Sequence, residues 1–302
     1  MNAALENLIR ILDLEQIEEN IFRGQNEHGR SRIRLFGGQV AAQALAAAGR
    51  TVEGRRAHSL HGYFLRGGDP AVPVVFTVDR IRDGASFTTR RVVAVQHGRA
   101  IFNMAVSFHV EEEGYTHQDE MPNVPPPEEL PSWSERVHEA ADRLPDDMKE
   151  WMLAERPIEV RAREPHSWFA SQPSHGPAAA WLRAAGRLED DPLLHQCVLT
   201  YASDMGLVDN IYRPHKNSGP RDVMMASLDH AMWFHRSFRV DDWILYYQES
   251  PIATGARGFA RGSMFTRAGE LVCSVAQEGL MRRIDPKRMG AAHAARSRSS
   301  ST

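Results

Sequence analysis

Three polar residues in the second half of the sequence interrupt stretches that are otherwise apolar. Asp204 lies within residues 199–207, and Ser227 and Gln277 lie in segments typical of central β-strands. A buried carboxylate is costly unless hydrogen bonds replace its lost water, so an acid at such a position needs partners. An acid, a hydroxyl and an amide that meet can orient a water molecule while the carboxylate accepts its proton. The alternative is that each residue faces solvent or pairs locally, and these residues alone leave both interpretations open.

Other catalytic constellations are missing from the sequence. It contains no Gly-x-Ser-x-Gly, Gly-x-x-x-x-Gly-Lys, Gly-x-Gly-x-x-Gly or His-Glu-x-x-His motif, which disfavours serine hydrolases, nucleotide hydrolases, Rossmann enzymes and zincins. The 14 histidines are scattered, and pairs such as His58/His61 and His230/His235 lack a carboxylate or thiol at helical ligand spacing. We therefore interpret them as polar or semi-buried strand residues and expect no metal.

The composition excludes several classes of protein. The chain has 302 residues, 36 Lys and Arg against 39 Asp and Glu, and a formal net charge of −3, which argues against a dedicated binder of nucleic acid or of an anionic membrane. Cys197 and Cys273 are its two cysteines, so a disulfide framework is not expected and a reducing cytoplasm fits. Because no run of eighteen apolar residues occurs, we expect neither secretion nor a membrane span.

The elements that must position the polar residues follow from hydrophobic periodicity. A small-residue helix from Phe36 to Gly49 is apolar on nearly every side, which is typical of a buried helix. An amphipathic helix precedes it, with apolar residues at Leu5, Leu8 and Leu12. Four strands are predicted after it, with a hairpin turn at residues 97–99. They cover residues 57–66, 72–82, 86–97 and 100–110.

The second half repeats this order of elements after a Pro-rich and charged linker. Laying Gly84-Ala85 on Gly255-Ala256 also places Arg90 on Arg261, Gly98 on Gly269 and Ala105 on Ala276 at one spacing of 171 residues. The repeat predicts two α+β units, each with an antiparallel sheet wrapped around a central helix, joined into one pseudo-symmetric sheet. Its predicted elements are strands at 156–164 and 178–187, a helix at 192–208, and strands at 222–237, 242–250, 256–266 and 270–282.

Eight segments, in order over both halves, resemble the signatures of the acyl-CoA thioesterase II family. The resemblance runs from about residue 3 to about residue 283 and is highly specific because the segments occur together. They are Phe22-Arg23-Gly24-Gln25, Phe36-Gly37-Gly38-Gln39-Val40, residues 58–66, Arg82-Asp83-Gly84-Ala85-Ser86-Phe87, Tyr201-Ala202-Ser203-Asp204, residues 228–236, Ala256-Arg257-Gly258 and residues 275–282.

The resemblance implies a double hot-dog fold and the hydrolysis of medium- to long-chain fatty acyl-CoA to free fatty acid and CoA. It also implies no metal or organic cofactor, and a homo-oligomer of double hot-dog chains. With it we expect a first hot-dog unit at residues 1–111, a linker at 112–155, a second unit with the catalytic residues at 156–284, and a disordered tail at 285–302.

Carried over residue by residue, the family's catalytic Asp falls on Asp204, its Gln on Gln277 and its Thr on Ser227. Serine keeps the hydroxyl but lacks the β-methyl group that restricts χ1, so we expect activity to survive this departure. Asp204 would accept a proton from the attacking water, which Ser227 and Gln277 would hold. Backbone N–H groups at a helix start are candidates for binding the oxyanion. Gly37-Gly38 would allow close approach of a thioester or, as an equally good alternative, tight packing of the helix.

The first half is expected to carry no second catalytic site. Val106 corresponds to Gln277 at the same spacing, and the helix at residues 37–49 contains no acid that could replace Asp204. Ser59, which resembles Ser227, would then serve packing or hydrogen bonding.

Two rival functions are weaker. Residues 190–195 are loosely similar to the Asp-x-Asn-Pro-x-His segment of hot-dog enoyl-CoA hydratases, but the Asn is missing and His195 is displaced by one position. Asp191-Pro192 fits the start of a helix better. A non-catalytic acyl-CoA sensor predicts a lost triad or an attached DNA-binding module, and the sequence has neither. Because the chain does not end in Ser-Lys-Leu, we expect the cytoplasm rather than the peroxisome.

Overall fold

The structure is a computed structural model that describes residues 1–26, 34–144, 146–167, 169–170, 172–215 and 223–284. The predicted tail at 285–302 lies outside the described residues. In the first half the elements are α1 (Ala3–Leu12), β1 (Glu15–Glu18), β2 (Ile21–Gly24), α2 (Gly37–Gly49), β3 (Arg56–Phe64), β4 (Val74–Asp83), β5 (Phe87–Gln96) and β6 (Arg99–His109).

Two short helices and the elements of the second half follow. They are α3 (Trp133–Glu139), α4 (Asp146–Leu153), β7 (Ile158–Ala162), β8 (Ala178–Ala184), α5 (Pro192–Ser203), α6 (Asp209–Tyr212), β9 (Val223–Ser227), β10 (Asp229–Phe234), β11 (Ile244–Thr254), β12 (Arg257–Thr266) and β13 (Leu271–Arg283). Single 3₁₀ turns lie at Pro127–Glu129, Ala141–Arg143 and Arg213–His215.

The strands of the described chain form one antiparallel sheet that wraps around α2 and α5. The order is β1-β2-β4-β5-β6-β3-β10-β13-β12-β11-β8-β7, with β9 paired to β13. The halves join where β3 pairs with β10, so that His61 lies opposite Ala231. This is the predicted α+β architecture of two helix-and-sheet units in one continuous sheet.

The two central helices, α2 and α5, differ in how they begin and end. Every residue of α2 from Gly38 to Gly49 is buried, which its small side chains allow on all sides. Helix α5 begins at an N-cap, Asp191, that accepts a hydrogen bond from the Leu193 N–H, with Pro192 at the first helical position. It ends at Ser203, five residues before the predicted end, and after the C-cap, Asp204, the chain turns at Gly206, which has a left-handed φ of 89°.

The sheet confirms the internal repeat but shifts part of the predicted alignment. Ion pairs join Arg91 to Asp79 and Arg261 to Glu249, which places Arg261 at the position of Arg91 rather than of Arg90. The Arg90 side chain is 2% exposed, whereas that of Arg261 is 61% exposed. The predicted matches of Arg90 to Arg261 and of Gly84 to Gly255 are therefore wrong by one residue.

Hairpin turns of different length explain the shift. Strands β5 and β6 join at the predicted hairpin through a two-residue turn, His97 and Gly98, whose φ angles are 50° and 70°, and Arg99 already belongs to β6. The turn from β12 to β13 is longer and is followed by an irregular pairing of Phe265 with Leu271. The repeat is thus 170 residues before the turn and 171 after it, where Ala105 and Ala276 correspond as predicted.

The segment between the halves packs against the second half of the sheet. We call residues 121–130 the strap. Its carbonyl groups accept hydrogen bonds from Trp181 Nε1 at Pro125 and from Arg161 Nη1 at Leu130, both at 2.8 Å. Apolar residues of the strap pack with Trp181 and Phe265 in a small separate core. The predicted linker therefore includes an ordered covering for one face of the sheet.

Two strands were not predicted. The whole of β1 is exposed and β2 has four residues, so neither shows an alternating pattern long enough to be read from the sequence. The predicted strand at 222–237 is divided at Leu228 into β9 and β10. In the described part of the chain, no helix is both long and apolar enough to cross a membrane.

Candidate active site

The structure brings together the three residues predicted to be catalytic. The Asp204 Oδ1 atom accepts hydrogen bonds from Gln277 Nε2 at 2.7 Å and from Ser227 Oγ at 3.1 Å. Its Oδ2 atom accepts a third bond from the Gly38 N–H at 2.9 Å. Asp204 is 8% exposed and Gln277 is 0% exposed, so the carboxylate is buried but has three donors.

Each of the three side chains comes from a different element. Asp204 is the C-cap of α5, Ser227 ends β9, and Gln277 points inward from β13, where it lies opposite Ala260 of β12. Ser227 lies opposite Gly279, two residues from Gln277 on β13. The end of one helix and two paired strands therefore meet at one point.

Helix dipoles act on Asp204 in opposite directions. A carboxylate at a helix C-terminus faces the negative end of the dipole and is disfavoured there, whereas the N-terminus of a helix favours an anion. Asp204 lies at the C-terminus of α5 and binds the second residue of α2. Each dipole contributes roughly 0.3–1 kcal/mol in exposed settings and the two oppose each other, so the three hydrogen bonds are the main interactions that stabilise the buried carboxylate. The sequence gives no sign of the Gly38 contact beyond the paired glycines.

The two glycines at the start of α2 allow this helix to approach α5. A β-carbon on Gly37 would lie 2.8 Å from Asp204 Oδ2 and 2.9 Å from the Phe64 ring. A β-carbon on Gly38 would lie 2.5 Å from the Tyr201 carbonyl oxygen. All three distances are shorter than β-carbon contacts in proteins, and because the Tyr201 oxygen belongs to the backbone of α5, the helices could not meet in this way with alanine at position 38. Of the two roles considered for Gly37-Gly38, these contacts support tight packing of the helix.

A buried polar group behind Asp204 was not predicted as part of the site. His230 Nε2 and Ser203 Oγ are 2.7 Å apart, and Tyr246 Oη donates to the Ser203 carbonyl oxygen at 3.0 Å. His230 is 1% exposed, and burial lowers its pKa while Asp204 and Asp229 oppose that change. Burial also raises the pKa of Tyr246 well above its ordinary value. These groups hold the last turn of α5 and thereby the backbone of Asp204.

Gln277 retains capacity for a further hydrogen bond. Its Nε2 atom donates to Asp204, but its Oε1 atom is buried and has no partner among the described residues. A buried amide oxygen without a partner costs free energy in the native state and marks a place where a water or ligand can bind. Carboxylate, hydroxyl and amide oxygen together can accept and orient the protons of one water molecule.

The segment similar to hydratases lies at the other end of α5. His195 is in the first turn of this helix and its Nδ1 atom accepts a hydrogen bond from the Val240 N–H at 3.2 Å. Asp191 caps the helix, as predicted. No group of three or more Asp, Glu, His or Cys side chains within the described residues could hold a metal ion.

Comparison with known proteins gives the same family over both halves. Residues 147–280 match the profile of the acyl-CoA thioesterase family, and residues 27–109 match that of the acyl-CoA thioesterase N-terminal domain. The chain is 38% identical over 284 residues to acyl-CoA thioesterase 2 of Haemophilus influenzae, covering 93% of this chain and 99% of the relative. It is 42% identical over 282 residues to acyl-coenzyme A thioesterase 8 of Mus musculus, covering 90% and 88%.

Comparison with solved structures indicates the same family and fold. The acyl-CoA thioesterase II TesB2 from Mycobacterium marinum is 44% identical, with a TM-score of 0.75 and coverage of 92% of this chain and 99% of that one. A conserved protein with hot dog fold from Alicyclobacillus acidocaldarius, 18% identical, has a TM-score of 0.74 over 94% of this chain and all of that chain, a likeness that concerns the fold. From these similarities and its double hot-dog fold, the chain belongs to the acyl-CoA thioesterase II family and is an acyl-CoA thioesterase.

Proposed function

We propose that the protein hydrolyses medium- to long-chain fatty acyl-CoA and that Asp204, Ser227 and Gln277 carry out the reaction. The observation that supports this most directly is the convergence of Ser227 Oγ and Gln277 Nε2 on one oxygen of Asp204. A buried acid with donors from two strands and a helix is expensive to build, and such groups occur where chemistry requires them.

In the proposed reaction, a water molecule attacks the thioester carbonyl carbon while Asp204 accepts one of its protons. The carbonyl π-electrons move to oxygen, and the tetrahedral oxyanion then re-forms the carbonyl as the carbon–sulfur bond breaks. The thiolate of CoA leaves with the bonding pair and takes the proton held on Asp204, so the products are a free acid and CoA. Ser227 Oγ and the unpaired Oε1 of Gln277 orient the water.

The oxyanion needs donors that already point at it. The start of α2 faces Asp204, and its Gly38 N–H already donates to that carboxylate. The other backbone N–H groups of this first turn remain the candidates, assisted by the positive end of the helix dipole.

A free-thiol release assay over acyl-CoA substrates of graded length tests the proposal. We expect release from medium- and long-chain substrates without added metal, and the same rate in EDTA. The folded protein would contradict the chain-length proposal if it released thiol from short-chain substrates alone. Hydration of an enoyl-CoA without thiol release would favour a hydratase instead.

We also propose one competent site per chain. Titration with a non-hydrolysable acyl-CoA analogue should saturate near one ligand per chain, because Asp204, Ser227 and Gln277 have no counterparts in the first half. Two equivalent sites per chain would contradict this proposal.

The proposal also includes two hot-dog units, at residues 1–111 and 156–284. It further includes a homo-oligomer of such chains and a cytoplasmic location. Cys197 and Cys273 are buried free thiols, which suits a reducing compartment.

Tyr63 and Trp233 lie exposed on the adjacent central strands β3 and β10, where a second chain could cover them. Light scattering at several protein concentrations checks the oligomer, and a single-chain mass throughout would contradict it.

A further inference from the structure

An isoleucine from α6 fills a gap in the sheet beside the candidate site. Gly258 of β12 and Gly279 of β13 lie directly opposite each other. A β-carbon on Gly258 would lie 2.0 Å from Ile211 Cγ2, and one on Gly279 would lie 2.9 Å from Ile211 Cδ1. We call this pair of glycines the glycine notch. Ile211 is 1% exposed and is seated in the notch.

The notch borders the residues that would perform the reaction. Gly279 lies opposite Ser227 on β9 and is two residues from Gln277 on the same inner face of β13. In the other direction along this face comes Val275, which is 2% exposed and packed in the main core. Side chains of the sheet thus pack on one side of Gln277. On the other side the notch has no sheet side chain, and Ile211 of α6 fills it, with Val208 beside it at 3.1 Å from a β-carbon on Gly279.

The helix that carries Ile211 is firmly attached. Asp209 accepts a hydrogen bond from the Ser167 N–H at 3.0 Å, and Asn210 accepts one from Arg213 at 3.1 Å. Arg213 also donates to Ser174 Oγ at 2.8 Å. A smaller residue at position 211 would therefore leave space in the notch, because its backbone is held by neighbours on both sides.

We propose that Ile211 forms the floor of the acyl-chain site and sets the length of chain that the enzyme accepts. The proposal rests on the proposed function of Asp204 and Gln277. An acyl chain whose carbonyl carbon lies at these residues must leave along an apolar inner surface, and the glycine notch is the part of that surface formed without sheet side chains. Removing carbon atoms from residue 211 deepens the site by the volume of those atoms.

Chain-length profiles of two variants test this inference. In Ile211→Val, which removes the Cδ1 atom facing Gly279, the ratio of kcat/KM for a long chain to that for a medium chain should rise about threefold. In Ile211→Ala the same ratio should rise roughly tenfold. Adding Gly258→Ala to Ile211→Ala refills the notch with one methyl group, and the ratio should move back toward that of the unmodified protein.

Ile158→Ala is the matched control, since Ile158 is also 1% exposed but lies on the outermost strand β7. It should lower stability without changing the ratio. An unchanged ratio in both Ile211 variants, or an equal change in the control, would overturn the inference. Should Ile211→Ala fail to fold, the ratio in Ile211→Val still decides. Absence of thiol release from the unmodified protein at every length would instead contradict the proposed function.

Discussion

The two halves place opposite charges at the ends of their central helices. After α5 comes Asp204, which receives Gln277 from the sheet. After α2 come Arg50 and Thr51, and the side chain that reaches Thr51 from the sheet is Arg90. Arg90 Nε donates to Thr51 Oγ1 at 2.8 Å, and its Nη2 atom donates to the Thr51 carbonyl oxygen at 3.1 Å.

The strand pairing shows that these places correspond. Gln277 lies opposite Ala260 in the second half, and Val106 lies opposite Arg90 in the first. In the second half a small residue, Ala260, lies beside the amide of Gln277. In the first half an arginine, Arg90, lies beside the apolar side chain of Val106. The guanidinium group thus extends to the chain after α2, the counterpart of the place where Asp204 and Gln277 meet, and Val106 corresponds to Gln277 as predicted.

The charges after the two helices differ in what they contribute: those after α2 stabilise the helix, whereas the one after α5 does not. Cations at a helix C-terminus are favoured by the dipole, so Arg50 and Arg90 follow the rule that stabilises α2. Asp204 breaks the same rule at the end of α5. A residue that opposes the local electrostatics and is held by hydrogen bonds from three elements is expected at a functional site.

The sharpest way to test the comparison is to remove the proposed proton acceptor. Asp204→Asn keeps the size of the side chain, and kcat should fall by roughly 10²-fold or more, the scale expected for loss of a general base. Steady-state thiol release, normalised to the folded protein by circular dichroism, measures this. A fall smaller than threefold would show that the proton goes elsewhere.

The two serines give a smaller contrast, although the predicted likeness of Ser59 to Ser227 is wrong in the sheet: Ser227 lies opposite Gly279, and the residue in the corresponding place of the first half, opposite Phe108, is Ala57. Ser227→Ala removes a hydroxyl that donates to Asp204, and we expect kcat to fall about tenfold, whereas Ser227→Thr retains the hydroxyl and should be mild. Ser59→Ala in the first half should leave kcat within a few-fold. Equal losses in the two alanine variants would show that the halves share the catalytic work.

Arg90→Met should reveal the structural role of the first-half arginine. It leaves the Thr51 groups without their donor in a buried place, so the free energy of unfolding should fall by about 2 kcal/mol. The value of kcat per folded molecule should stay within about twofold. Urea denaturation and thiol release measure these quantities, and a selective loss of kcat would contradict a purely structural role.

The smallest expected effect is a pH dependence of stability. The pKa of His230 lies below its ordinary value of 6.5 because the ring is buried, so below about pH 6.5 the unfolded chain binds the proton and the native chain does not. Stability should therefore fall as the pH decreases from 6.5, by at most about 1.4 kcal/mol per pH unit from this one group.

The corresponding first-half residue is Leu60, which is buried and does not titrate. His230→Leu should flatten the decrease of unfolding free energy between pH 6.5 and 5.5, measured by urea denaturation. An unchanged slope would mean that other groups, such as His195, cause the dependence.

The sequence was a good guide where patterns are local. The turn at His97 and Gly98 needs two left-handed residues, and the burial of α2 follows from its small side chains, so both could be predicted. The role of the strap could not, because prolines and charges indicate a linker whether or not it packs on a sheet. Arg90 was aligned one residue out of place because a longer turn between β12 and β13 changes the spacing of the repeat.

The site residues show the same limit. Asp204 was recognisable as an acid in an apolar stretch, but the Gly38 N–H and the His230–Ser203 pair are long-range contacts that no spacing encodes. His230 lies on β10, as its interpretation as a strand residue predicts, but it is fully buried rather than semi-buried.

The hydrogen bond from Gly38 to Asp204 crosses from one half to the other. Two separate polypeptides, divided within residues 112–155, would form a complete site only when they associate, and the amount of active enzyme would depend on both concentrations. In the intact chain the connecting segment maintains a high effective concentration of one half near the other at any dilution. Gene fusion would in this way make turnover a property of each molecule rather than of an encounter.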